Sequence, residues 1–173
     1  MWISPNTNTS DFELDELYHF KSGRKGSEMG INAFVSTMVS REPHQILAFV
    51  ADAHRSQSDI ERMIYSSPIA DTYHTDGYVG YAEIDFPGFH NRNMRNKNDT
   101  YTVEGSNADL RHYIAGLRRR SRCFFRKFET MRAVLCIFIT AYNKFGHAKY
   151  LHRLKHPNCG RDFNFNHLQY ISA

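Results

Sequence analysis

Three carboxylates stand where a fold could gather them. Asp15 lies within an alternating segment, Asp76 just before a glycine, and Glu104 at the head of a basic helical stretch. Converging carboxylates repel one another unless cations sit between them. Hard oxygen donors suit Mg²⁺ or Mn²⁺ rather than zinc. Two such ions about 4 Å apart serve phosphoryl transfer, one activating the attacking water or hydroxyl and the other stabilising the leaving 3′-oxygen. Asp11, Glu13, Glu16, Asp71 and Glu83 compete for the same roles. Taken singly, each acid reads equally well as surface charge.

The elements that must position these residues follow from periodicity. Residues 11–20, DFELDELYHF, place Phe12, Leu14, Tyr18 and Phe20 on one parity, strand spacing broken by Glu16. After a polar, glycine-bearing turn, 31–39 and 45–53 read as two further strands, and hairpin connections make the three antiparallel. In Ser56 to Ser67, Ser58 with Glu61 three residues on forms a capping-box pattern, and Ile60, Met63 and Ile64 form an apolar stripe, so a helix is expected. Ala70 to Thr75 reads as a fourth strand ending at Asp76-Gly77, and Val79 to Ile84 as a helical turn. Pro87 to Asp99 is polar and basic and reads as a loop. Tyr101 to Val103 reads as a brief strand, followed by helices near 104–125 and 128–145. In the last of these, Met131, Leu135, Phe138 and Tyr142 keep helical spacing and Val134, Ile137 and Ala141 cover a neighbouring face, so it reads as core. The order describes a mixed α/β domain over 11–145, with a lead at 1–10 and a basic, aromatic tail at 146–173. Carboxylates at strand ends in an open α/β sheet line the ligand crevice.

The helix from Glu104 carries two faces. Leu110, Ile114, Leu117 and Phe124 form a core stripe. Glu104, Asn107, Arg111, Arg118 and Arg122 fall in a second sector about 60° wide at helical spacing. Arginine offers phosphate a planar fork of donors, so this face suits a nucleic-acid backbone; a solvated basic face is the plainer alternative. The net charge of +4 hides a segregation. Residues 1–104 hold 9 Lys/Arg and 15 Asp/Glu, whereas residues 105–173 hold 13 and 3. That pattern fits either a polyanion partner approached through acids as metal ligands, or two solvated faces of opposite sign.

Composition excludes several classes. Hydrophobic residues at 41 % and charged residues at 23 % argue against a disordered tail or a collagenous rod. Three cysteines without a C-x-x-C pair make neither a disulfide framework nor a four-cysteine zinc site. His147, His152, His156 and Cys159 match no common zinc-finger spacing and read as scattered surface residues. The start Met1-Trp2-Ile3-Ser4-Pro5 lacks a signal peptide's basic and apolar regions. The apolar run from Ala133 to Ile139 is too short to span a bilayer, so no membrane association is expected.

Several of these segments together resemble the small bacterial DDE transposases of the insertion-sequence-one type. Asp15-Glu16-Leu17-Tyr18-His19-Phe20 resembles the family's D-E-x-W-x-F strand, and Thr75-Asp76-Gly77-Tyr78 with Tyr81 resembles its T-D-G-W…Y motif. Val103-Glu104 is similar to the start of its third-acid helix. Asn107, Leu110, Arg111, Leu117 and the stretch Arg120 to Phe124 are similar to that helix's continuation. Tyr18 and Tyr78 stand where tryptophan is frequent in the family, with aromatic character kept. The resemblance covers about residues 12–145. It implies a ribonuclease-H-like α/β fold, a mixed sheet flanked by helices. It implies Asp15, Asp76 and Glu104 as catalytic residues and ligands of two Mg²⁺ or Mn²⁺ ions, and 3′-end nicking and strand transfer of an insertion sequence. Lys97 falls near a family lysine, and with Asn107, Arg111, Arg118 and Arg122 it is expected against DNA, with Arg95 assisting. Implied partners are transposon ends, target DNA and further copies of the chain, in the bacterial cytoplasm at the nucleoid. Only Met1 to Leu14 precede Asp15 where the family carries a zinc-binding and helix-turn-helix region, so the chain reads as a catalytic fragment, a truncated reading frame, or one of two products joined by frameshifting, the last with a separate helix-turn-helix product as partner. Two rivals keep the fold: a non-catalytic DNA-binding remnant, and a ribonuclease-H-like nuclease acting on hybrids or junctions.

Overall fold

A computed structural model describes residues 10–20, 32–42, 44–92, 99–118, 123 and 125–155. The alternating run forms strand β1 (Asp11–Phe20), followed by β2 (Asn32–Ser40) and β3 (Ile46–Asp52). Helix α1 (Gln57–Tyr65), β4 (Thr72–Thr75) and a 3₁₀ turn at Val79–Glu83 come next. Strand β5 (Phe89–Arg92), helix α2 (Tyr101–Tyr113), a 3₁₀ turn at Ala115–Leu117 and helix α3 (Phe128–Lys155) complete the chain. The five strands form one mixed sheet in the order β3-β2-β1-β4-β5. β1–β2 and β2–β3 are antiparallel, whereas β4 and β5 run parallel to β1. This is an α/β architecture with a mixed sheet flanked by helices, compatible with a ribonuclease-H-like fold.

The period of two in β1 sorts its side chains onto two cores. Phe12 and Leu14 join Met38, Tyr73 and the α1 residues Ile60, Met63 and Ile64 on one face. Leu17 joins Val35 and Val39 on the other, under Val103 and Leu110 of α2 and Met131, Leu135 and Ile139 of α3. Asp15 shares the parity of Leu17, so it points toward α2. Edge strand β3 needs partners for its outer backbone groups. Helix α3 supplies them: Asn143 accepts from the Ile46 N–H and donates to the Ile46 carbonyl, and Arg132 donates to the Ala51 carbonyl.

The structure corrects the sequence reading at five places. The segment expected as a loop contains β5; with one apolar residue, the exposed Phe89, it carries no strand alternation, and its register comes from pairing with β4. Tyr101 to Val103 is the first turn of α2 rather than a strand. Helix α1 starts at Gln57 after Ser56, so Ser58 is inside the helix and not its cap. The helix of Glu104 stops at Tyr113, because Ile114 turns to extended backbone and Gly116 packs beneath the Phe125 ring. Finally, α3 runs on to Lys155, past the helix end expected near 145, and its Ile137 is 72 % exposed, so that helix is not core all round.

Two glycines make opposite predictions. A Cβ at Gly88 would overlap the carbonyl oxygens of Ala70 and Asp71, where Phe89 N–H donates to Asp71 to start β5. Gly105 has open space around it inside α2. Urea denaturation should show Gly88→Ala destabilising by about 1–3 kcal/mol, as overpacking does. Gly105→Ala should stabilise by about 0.5–1 kcal/mol through helix propensity.

Candidate active site

The parallel pairing of β1 with β4 sets the first two acids side by side. Leu14 pairs with Thr75, so Asp15 and Asp76 each follow by one residue at adjacent strand positions. Asp76 closes a tight turn, its carboxylate accepting from the Tyr78 N–H at 2.9 Å. Asp15 sits deeper. Its Oδ2 accepts from the Asn107 amide at 3.0 Å, and the Asn107 Oδ1 accepts from the Thr37 hydroxyl at 2.9 Å. Thr37 is the β2 register partner of Asp15, and both Thr37 and Asn107 are buried. This relay from β2 through α2 fixes the carboxylate's orientation.

Glu104 stands exposed in the first turn of α2, one helical turn before Asn107. Its charge reaches Asp15. Burial first, and then the charges of Asp76 and Glu104, push the Asp15 carboxyl up to about 6, against lowering by the Asn107 hydrogen bond and by Arg111. The three expected acids therefore share one electrostatic site. Among the described residues, no three His, Cys, Asp or Glu side chains are arranged as they stand to enclose an ion. The donor set is nonetheless all oxygen, and its central carboxyl is desolvated beside two like charges. A hard divalent cation relieves that condition, so the residues fit Mg²⁺ or Mn²⁺.

The other acids separate from this site for identifiable reasons. Glu13 is completely buried, with Oε1 accepting from Arg41 Nε and Oε2 from the Val103 N–H, both at 2.8 Å. Glu16 faces the opposite side of the sheet, bonded to Arg55 and to the Tyr81 hydroxyl. Asp11 meets His74 at 3.2 Å. Asp71 and Glu83 lie at exposed positions.

Sequence reasoning missed Arg55. Its guanidinium lies 3.6 Å from the Tyr78 ring centroid while it binds Glu16, so the Asp76 turn is tied to the residue after Asp15. Burial, with the Asp15 and Asp76 charges next, holds the Tyr81 phenol well above its ordinary range, so it stays a donor to Glu16. The aromatic character of Tyr78 and Tyr81 was visible in the motif; Arg55, which stacks on Tyr78 and shares Glu16 with Tyr81, was not.

The basic row divides. Arg111 remains on α2, donates to the Tyr18 carbonyl at 3.3 Å and lowers the Asp15 carboxyl's pKa by its charge. Asn107 belongs to the Asp15 carboxylate rather than to a solvent-facing row. Arg118 lies beyond the helix end and folds back, its Nε and Nη2 donating to the His112 carbonyl at 3.1 and 2.6 Å. The shared 60° face expected for Arg111 and Arg118 thus fails, because the helix carrying it stops before Arg118. Lys97, Arg95 and Arg122 lie outside the described residues, as do His156 and Cys159. No family model matches the chain, and no curated protein matches it significantly.

A carboxyl raised in the folded state lowers stability as it ionises. With Asp15 shifted from 3.8 to about 6, its folded form holds the proton more tightly than the unfolded chain. Its contribution is therefore fully present below about pH 4 and lost as pH rises through 6. Asp15→Asn keeps an acceptor for Asn107 and removes the charge. Metal-free Asp15→Asn should exceed the wild type in stability at pH 7.5 by about 2–3 kcal/mol. That advantage should vanish near pH 4 in denaturation curves taken across this range.

Proposed function

We propose that this chain is the catalytic domain of a DDE transposase of the insertion-sequence-one type, a polynucleotidyl transferase acting on DNA. The observation that carries the reading is that Asp15 on β1 and Asp76, directly after the parallel β4, stand side by side within electrostatic reach of Glu104. The ordered motifs of the sequence support it further, as does a sheet compatible with the ribonuclease-H-like fold.

Asp15, Asp76 and Glu104 would hold two Mg²⁺ or Mn²⁺ ions. When bound, these supply a nucleophile at neutral pH and charge stabilisation for the leaving oxygen. The chain's own residues do the rest. Thr37 and Asn107 orient one Asp15 oxygen, which leaves the other for a ligand. The Tyr78 N–H holds one Asp76 oxygen in the same way. Arg111 places positive charge beside Asp15, where a DNA phosphate entering the site would lie. Such phosphate contacts position DNA without reading its sequence. In the first step, water forms a bond to phosphorus at the element end and the P–O3′ bond breaks, freeing a 3′-hydroxyl. In the second, that hydroxyl attacks a target phosphodiester, and a target 3′-oxygen leaves.

On this reading the protein works in the bacterial cytoplasm at the nucleoid, as a multimer on paired ends. No described helix is long and apolar enough to cross a membrane. Purified protein incubated with element-end and target DNA should nick and join strands only when Mg²⁺ or Mn²⁺ is added. Asp76→Ala should abolish both products, a loss of at least about 10³-fold of the kind expected when transition-state charge stabilisation is removed. Full activity in Asp76→Ala would sink the assignment. Metal-dependent hydrolysis of RNA–DNA hybrids without joined products would make the protein a nuclease, and DNA binding without cleavage would make it a remnant.

A further inference from the structure

The start of α2 is held in an unusual way. The first N–H groups of a helix have no partner within it, and a side chain at the N-cap commonly accepts from one of them. Here the N-cap Thr100 makes no such bond. The Val103 N–H is instead taken by Oε2 of Glu13, a residue of β1 ninety positions earlier, at 2.8 Å. The other Glu13 oxygen accepts from Arg41 Nε at 2.8 Å, and Arg41 Nη2 donates to the carbonyl of Asp99, just before the N-cap, also at 2.8 Å. Arg41 itself sits directly after β2, where its own N–H donates to the Asp11 carbonyl. Two elements of the sheet thus grip the first turn of α2 through directional, charge-assisted bonds.

Glu13 is fully buried, and a buried ion pair is a poor way to gain stability, since apolar side chains of similar volume commonly do as well. What the pair supplies is geometry. Glu13 lies two residues before Asp15 on the same face of β1, and its acceptor bond ends on the N–H of the residue before Glu104. The link therefore joins the strand next to the first carboxylate and the helix next to the third. An apolar contact would let α2 slide along its axis; these three bonds do not.

We propose that Glu13 and Arg41 are positioning residues that set the height of Glu104 against Asp15, so that both carboxylates bear on one divalent ion. The proposal rests on the reading of Asp15, Asp76 and Glu104 as metal ligands. Neither residue touches the ion itself: Glu13 acts through the α2 backbone, and Arg41 through Glu13 and Asp99.

The test is a cycle of Mn²⁺ affinities measured by titration calorimetry on the whole chain, with thermal midpoints alongside. Glu13→Gln should weaken Mn²⁺ binding about ten-fold, the lower end of what loss of an outer-shell partner costs. Glu104→Gln should weaken it at least as much, and Glu13→Gln should then add little in the Glu104→Gln background. Arg41→Lys keeps the charge but not the second bond to Asp99. It should follow Glu13→Gln more mildly and serves if that variant folds poorly. Ile64→Ala, which loosens the core on the other face of the sheet, should lower the midpoint and leave Mn²⁺ affinity alone. Additive effects of Glu13→Gln and Glu104→Gln, or an unchanged affinity in Glu13→Gln and Arg41→Lys, would overturn the positioning role while leaving the metal site standing. Failure of the wild-type protein to bind Mn²⁺ would remove the metal site and this inference with it.

Discussion

The burial of the Asp15 carboxyl beside two acidic neighbours is the constraint the rest of this structure answers to. A half-buried carboxyl beside Asp76 and within reach of Glu104 costs stability, and the fold spends several unrelated residues on holding it there. Thr37 and Asn107 fix its orientation from β2 and α2. Arg55, Tyr78 and Tyr81 tie the Asp76 turn to Glu16 from the other face of the sheet. Glu13 and Arg41 fix the helix that carries Glu104. An arrangement that concentrates like charge and then braces it suits the divalent cations proposed for it.

The two faces of β1 divide the labour. Odd positions from Glu13 to Leu17 point toward α2, with the polar Glu13 and Asp15 ahead of the core residue Leu17. Even positions, Phe12 and Leu14, anchor the strand in the α1 core, and Glu16 then turns this face polar where the Asp76 turn must be held. One strand therefore supports its own catalytic candidate from both sides. The parallel pairing with β4 is what brings Asp76 to the same level, since a strand running the other way would present its opposite end there.

Much of this was legible from local pattern. The alternation of 11–20, the apolar runs of β2 and β3, and the stripe at Ile60, Met63 and Ile64 correspond to elements within a few residues of their bounds. Residue type and place nominated Asp15 inside a strand, Asp76 at a strand end and Glu104 at a helix start, and the fold brings their charges within reach of one another. What local pattern could not show was long-range partnership. Asn107 has Thr37 as its partner 70 positions away, and Glu13 has Val103 as its partner 90 away. Strand β5 escaped because an edge strand with one apolar residue has no alternation to read, and its register is set by Thr72 to Thr75. The end of α2 escaped because Ile114 and Leu117 keep helical spacing while reaching the same core through a 3₁₀ turn. That error mattered for function, since it placed Arg118 beside Arg111.

The central claim is that Asp15 and Asp76, with Glu104, hold divalent metal. Anomalous diffraction at the manganese edge, from crystals grown in Mn²⁺ at pH 7.5, addresses it directly. A peak between the Asp15 and Asp76 carboxylates, with Glu104 drawn onto it, is the expected result. No peak there, or manganese only beside His74 and Asp11, would contradict it.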